Sequence, residues 1–323
     1  MFKKLPLVLA SITFLAVGGI TLGNVLDTFF IEHAETTVEA EEEDFTFDSD
    51  QTESSSSSTT GETSTTSTKT NTSNSNNTTV TYTKGSKKIG KKSVTYHLVE
   101  INLKKVSDLR TKLATNNSGS VGANITQSLD EMVQDVEDSG TEVLCAISGD
   151  FAFWSGRTGY VIRNGVSYRS SQRSTSGEDF AIFKDGSVKS YFEDDLDFSS
   201  LESMNEGCYQ NWCFGPTLLD NGSIAVDTDE EIDGRSMSNN ERTAIGYAGP
   251  NHFYFLNTEV NGSRNSSSAA SFSLYNLAEL FQDLGCTYAY NLDGGGSAGM
   301  IVNGEYKLEP ERELGDMIYV VNA

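Results

Sequence analysis

Apolar residues at Leu274, Leu277, Ala278, Phe281 and Leu284 recur at the spacing of one helical face, and Gly285 follows where a helix end takes a positive φ. The period then falls to two. Tyr288, Tyr290 and Leu292 alternate along a buried strand from Cys286 that runs into Asp293 and three glycines. The same order stands earlier in the chain. Ile125, Leu129, Met132, Val133 and Val136 mark a helix, Gly140 closes it, and the buried strand Val143–Ile147 runs into Ser148-Gly149-Asp150. Set side by side in one sheet, the two units would bring Asp150 and Asp293 to a common cleft. Ser93 to Leu103 alternates as a further strand, and His97 within it reads as a structural histidine. After Asp150, turn signals at Arg163-Asn164-Gly165, Lys184-Asp185-Gly186 and Asp220-Asn221-Gly222 each predict a short hairpin. These elements predict an α+β class: a mixed, largely antiparallel sheet with a few packed helices in a single globular domain.

That pattern begins near residue 80. Before it, Lys3 and Lys4 precede an apolar run from Leu5 to about Leu26, long enough to span a bilayer with its N-terminus cytoplasmic. A cleaved signal peptide is the competing reading, with Val38-Glu39-Ala40 as its cleavage site. Either reading places the rest outside the cytoplasm, anchored by a single pass or secreted. From Glu35 to Thr79 the chain is acidic and then almost wholly Ser, Thr and Asn, too poor in apolar surface to order itself. The expected organisation is an anchor or signal segment over 1–34, a disordered linker over 35–79 and a folded domain over 80–323.

Charge narrows the partners. The 323 residues carry a formal charge of −23, which argues against nucleic acid because phosphate repulsion goes unanswered. The membrane enters only through the N-terminal segment. In an exported domain the four cysteines can oxidise. Cys208 and Cys213, separated by four residues of polar, aromatic loop, are the favoured disulfide. Cys145 and Cys286 would pair if their strands are neighbours and are otherwise two buried thiols.

The stretch Asn291-Leu292-Asp293-Gly294-Gly295-Gly296-Ser297 carries the strongest chemical signal. Glycines let the backbone turn sharply, expose its N–H groups and admit a ligand, while the carboxylate can act as base, nucleophile or metal ligand. Met300-Ile301-Val302-Asn303-Gly304 follows as strand and turn, which excludes a dinucleotide fingerprint because no helix opens after the glycines. A phosphate-binding P-loop is excluded by the missing Lys-Ser or Lys-Thr. Arg242, leading the apolar run Thr243–Gly246, is costly to bury without an anion to meet, and Arg157 is a second candidate anion ligand. Three histidines rule out a His-rich metal site, and no spacing demands a metal. A divalent cation on Asp150 or Asp293 stays compatible with the pattern.

Taken in order, A-I-S-G-D-F at 146–151, G-Y-V-I-R-N-G at 159–165, F-G-P-T-L at 214–218, R-T-A-I-G at 242–246 and Y-N-L-D-G-G-G-S at 290–297 resemble the phosphodiester glycosidases. The resemblance runs from about Tyr96 to Val321. This is the family of the lysosomal uncovering enzyme, with bacterial members known as exopolysaccharide proteins. It implies a mixed α+β fold with the glycine loop lining the cleft. The implied activity is hydrolysis of the sugar-to-phosphate bond in a glycosyl-1-phosphodiester of a cell-envelope glycan or exopolysaccharide. On that reading Asp293 is the essential carboxylate, Asp150 its partner, and Arg242 the cation that meets the departing phosphate, with Arg157, Asn291, Gly294, Gly295, Gly296 and Ser297 binding substrate. The chain departs from the family pattern at Ser148, where members usually carry Asn, and at Ala298, where they carry Ser or Thr. A non-catalytic polysaccharide-binding module and a glycosyl-phosphate transferase are the rival functions.

Overall fold

The computed structural model describes residues 77–153, 158–173, 177–226, 239–264 and 266–322. The expected anchor over 1–34 and nearly all of the expected linker lie outside them. Among the described residues no helix is long and apolar enough to cross a membrane.

Among the described residues the strands form three antiparallel sheets, within the α+β class that the sequence pattern predicts. The first holds β1 (Thr79–Ile89), β2 (Lys92–Asn102), β13 (His252–Thr258), β12 (Thr243–Gly249), β14 (Tyr288–Leu292), β10 (Thr217–Asp220) and β11 (Ser223–Ile224), in that spatial order. The second runs β16 (Glu305–Leu308), β15 (Met300–Val302), β4 (Val143–Ser148), β17 (Asp316–Val321) and β3 (Leu109–Leu113). The third runs β6 (Val166–Arg169), β5 (Val161–Arg163), β9 (Cys208–Trp212), β7 (Glu178–Phe183) and β8 (Val188–Phe192). The three turn signals close the hairpins β5–β6, β7–β8 and β10–β11, with Asn164 and Asn221 at positive φ.

Strand alternation divides the apolar residues into an inner and an outer set. Inner-facing Val99, Ile147, Phe180, Trp212, Phe255, Tyr290, Leu292 and Ile318 pack all three sheets into one core. Each outer face has its own helix. Leu129, Met132 and Val133 of α1 (Leu129–Asp138) cover Ala146, Met317 and Tyr319 of the second sheet. The short α2 (Phe198–Ser203) seats Leu201 against Ile162 and Phe183 of the third. Leu277 and Phe281 of α3 (Leu274–Asp283) cover Ala244 and Ala289 of the first. Ser128 and Ser273 cap α1 and α3 by reciprocal bonds with Glu131 and Asn276, and Gly140 and Gly285 end them at φ 92 and 80. His97 is structural. It is buried between the Tyr82 hydroxyl (2.8 Å) and Glu259 Oε1 (2.8 Å), and burial lowers its pKa.

Two expectations fail here. The helix–strand units ending at Asp150 and Asp293 are not neighbours in one sheet, because β4 belongs to the second sheet and β14 to the first. The Cys208–Cys213 disulfide is absent, and all four cysteines are buried thiols. Cys208 opens β9 and Cys213 follows its last residue, so an extended strand holds them roughly 16 Å apart, more than twice what a disulfide spans. The short spacing that predicts a loop lies along a strand.

Candidate active site

Three chain segments converge on the glycine loop. The first is β12. It pairs antiparallel with β14, Thr243 opposite Leu292, so one residue further Arg242 and Asp293 leave the ladder side by side. The loop then folds back over the start of β12, and the Gly295 N–H donates to the Glu241 carbonyl at 2.8 Å. A Cβ on Gly294 would stand 2.5 Å from that same carbonyl, so only glycine fits, and Gly295 turns at φ 58. The second segment is the end of β4. The Asp293 N–H donates to the Gly149 carbonyl (3.0 Å), and the Ser148 hydroxyl donates to the Asp293 carbonyl (3.1 Å). Ser148 also meets the Thr243 hydroxyl (3.0 Å), which accepts from the Asn257 amide (2.8 Å). The third is the β16–β17 connection, where the Glu311 N–H donates to the Gly296 carbonyl at 2.8 Å. Asp293 is thus held through its own backbone on both sides.

Its carboxylate faces a cation. Arg312 Nη2 lies 3.3 Å from Asp293 Oδ2 and 3.5 Å from Oδ1, while its Nε donates to the Ser297 hydroxyl at 2.7 Å. The Arg312 side chain is 52% exposed and that of Asp293 12%, so solvent reaches the pair from the arginine side. Beside it Arg264 bridges Glu241 (2.5 Å) and Glu311 (2.7 Å), the two acids that flank the loop. A carboxylate on a rigid turn next to a solvent-facing guanidinium has two uses at once. The carboxylate can supply negative charge or a base to one atom, and the guanidinium can donate hydrogen bonds to an anion beside it.

Asp150 is placed otherwise. It is fully buried, its Oδ1 paired with Arg163 Nη2 at 2.6 Å and its Oδ2 accepting the Cys213 N–H at 2.8 Å. Asp316 shares the same guanidinium at 3.4 Å, and burial with the Asp150 charge pushes its carboxyl up to about 7. Asp150 is therefore enclosed in this buried set, where the sequence pattern places it beside Asp293 on substrate. Two buried carboxylates on one arginine are a structural knot, costly to break once formed.

The other candidates divide. Arg242 is buried, with its Nε donating to the Phe272 carbonyl at 3.1 Å just before α3. Asn291 is buried and its side-chain amide donates to the Gly215 carbonyl at 2.8 Å, in the framework turn Phe214–Pro216. The amides of Gly295, Ser297 and Ala298 are spent on backbone carbonyls, which narrows those open to a ligand to Gly294 and Gly296, both half-buried. Arg157 lies outside the described residues. Among the described residues no three His, Cys, Asp or Glu side chains converge as a metal-ligand set.

Arg312, Arg163 and Asp316 escape the sequence reading. Arg312 sits in Glu309-Pro310-Glu311-Arg312-Glu313, which reads as solvated charge, although a lone cation in an acidic run is itself a signal. Arg163 stands directly before the turn residues Asn164-Gly165, whose pattern signals a hairpin and says nothing of the arginine.

The family model for phosphodiester glycosidases matches residues 141–321, more than half of the chain. The catalytic domain of zebrafish N-acetylglucosamine-1-phosphodiester alpha-N-acetylglucosaminidase, auto-inhibited by its pro-peptide, is similar in structure. Its TM-score is 0.59 at 18% identity, covering 80% of this chain and 87% of that one. A hypothetical protein from Synechocystis has a TM-score of 0.55 at 14% identity, covering 76% of this chain and 62% of that one. In sequence, the SPbeta prophage-derived uncharacterised protein YomE of Bacillus subtilis is 27% identical over 153 residues. That alignment takes in 46% of this chain but spans only 22% of YomE.

Proposed function

The chain belongs to the phosphodiester glycosidase family, a family of hydrolases, and on that premise we propose that it cleaves the sugar–phosphate bond of a glycosyl-1-phosphodiester. The substrate is a cell-envelope glycan or exopolysaccharide, and the domain works outside the cytoplasm. The observation that carries this reading is the Asp293–Arg312 pair at the mouth of the glycine loop, 3.3 Å apart and open on its cationic side. Asp293 attacks C1 or takes a proton from the water that does, and it faces the positive charge that grows on the sugar ring. The C1–O bond breaks with its electron pair on the phosphate oxygen, water supplies the hydroxyl to C1, and a free sugar and a phosphomonoester leave. Arg312 meets the charge arriving on the phosphate, with the amides of Gly294 and Gly296 beside it. Phosphate is a good leaving group, so one carboxylate serves where ordinary glycosidases need two.

The export reading is supported by the apolar run from Leu5 to Leu26 behind Lys3 and Lys4. A divalent cation would ease approach of an anionic substrate to so acidic a protein, and metal titration of the assay decides whether one is used. The full chain is incubated with glycosyl-1-phosphodiesters that differ in the sugar, an N-acetylglucosamine 1-phosphodiester among them. Free sugar and phosphomonoester should appear in equal amounts. Binding of envelope polysaccharide without release of either would identify a binding module instead. Product formed only with an acceptor would identify a transferase.

A further inference from the structure

Phe151 holds a backbone conformation that a bulky side chain rarely adopts, with φ 58. Such a residue persists only where its surroundings over-determine it, and here they do. The Phe151 N–H donates to Asp316 Oδ1 at 2.9 Å, and Asp316 is fixed in turn by Arg163 at 3.4 Å. The ring lies flush on Gly315, where a Cβ would stand 2.6 Å from Phe151 Cδ2. What this arrangement presents is a half-buried aromatic face, and the Arg312 guanidinium stands over it, 5.7 Å from the ring centroid. Arg312 comes from a different segment and is half-exposed, so the ring adds a constraint on its rotamers beside the Ser297 hydroxyl and the Asp293 carboxylate.

We propose that Phe151 is a positioning residue for the reaction. Its ring is the platform that seats the Arg312 guanidinium between Asp293, Ser297 and the substrate phosphate. A flat, weakly hydrated guanidinium stacks on an aromatic face while its N–H edge stays free for in-plane hydrogen bonds, which is what a phosphate clamp requires. The buried Asp150–Arg163–Asp316 knot thereby acquires a purpose, since it holds the platform in its unusual turn. The role in catalysis rests on the assignment of Arg312 to the phosphate, whereas the seating itself does not.

Two readouts separate these. In the wild type the Arg312 Nε–Hε resonance, assigned by its loss in Arg312→Lys, should be shifted upfield by the ring. It should stay there in Phe151→Tyr and move to the position of a free arginine in Phe151→Leu. Gly315→Ala leaves Phe151 intact but pushes on its ring, and should move the same resonance, which keeps the test sound if Phe151→Leu fails to fold. On the phosphodiester, Phe151→Leu should lose about ten-fold in kcat with KM little changed, and on an aryl glycoside of the same sugar less than two-fold. A resonance unmoved in both folded variants, or equal loss on the two substrates, overturns the proposal. If the wild type turns over no phosphodiester, the functional assignment fails alone, and the resonance still decides whether Phe151 seats Arg312.

Discussion

Two of the carboxylate–arginine sets among the described residues have similar chemistry and opposite character. In one, Asp150 and Asp316 share Arg163, all three 1–2% exposed or less, with contacts of 2.6 and 3.4 Å. In the other, Asp293 meets Arg312 at 3.3 Å, and the arginine is 52% exposed. Burial makes the first set nearly irreplaceable, because removing one member strands a charge that nothing else can solvate. Exposure makes the second set cheap, worth about 0–1 kcal/mol to the fold. A cheap pair can be exchanged for a ligand. The same two residue types thus build a frame where water is excluded and a working site where it is not.

The strongest test of this contrast is Asp293→Asn, which keeps shape while removing charge. Turnover should fall toward the upper end of the roughly 10²–10⁴-fold range for a positioned acid or base, with the melting temperature almost unmoved. Near-normal turnover in a folded variant would remove Asp293 from the chemistry. Arg163→Leu should do the reverse and cost about 3–5 kcal/mol of stability by chemical denaturation, since it leaves Asp150 and Asp316 buried together without their cation. A stability within about 1 kcal/mol of wild type would show the knot to be dispensable.

Titration sharpens the comparison further. Burial and then the Asp150 charge raise the Asp316 carboxyl from the ordinary 3.8 to about 7, so between those values the folded chain keeps a proton that the unfolded chain has released. Stability contributed by this group is therefore complete below about pH 4 and falls as pH rises to about 7. The loss is at most about 4 kcal/mol, and the curve is level beyond that. Denaturant melts between pH 4 and 8 measure the slope, and Asp316→Asn should flatten it. An unchanged slope in that variant would assign the effect to other groups. The smallest expected effect belongs to the exposed arginine. Arg312→Ala should slow phosphodiester cleavage about ten- to a hundred-fold, the worth of a charge-assisted contact, and change stability by less than about 1 kcal/mol. A large stability loss there would move Arg312 from the working site to the frame.

Some of this was legible before any fold was known. The α1 and α3 faces repeat every three to four residues and each ends in a closing glycine, all within one or two turns of chain. The hairpins at Asn164, Lys184 and Asn221 are equally local. Even the loop at Asp293 announced itself, because three glycines after a buried strand mark a backbone that must bend where side chains cannot fit. The misreadings arose where local pattern was asked a long-range question. Cys208 and Cys213 are close in sequence but lie along an extended strand, and the two helix–strand units match in pattern yet enter different sheets.

What the sequence by itself determined is the two longer helices, the strands that follow them, three hairpin turns and the position of the carboxylate-bearing loop, since periodicity, closing glycines and turn residues are properties of neighbouring residues. What only the tertiary structure decided is which aspartate meets solvent and which arginine meets each. Arg163 finds Asp316 across 153 residues, and Arg312 finds Asp293 across 19. Such pairings depend on which sheet each strand joins and on how much water is left between them. A buried charge must find a partner wherever the chain brings one, and no local pattern records which partner that will be.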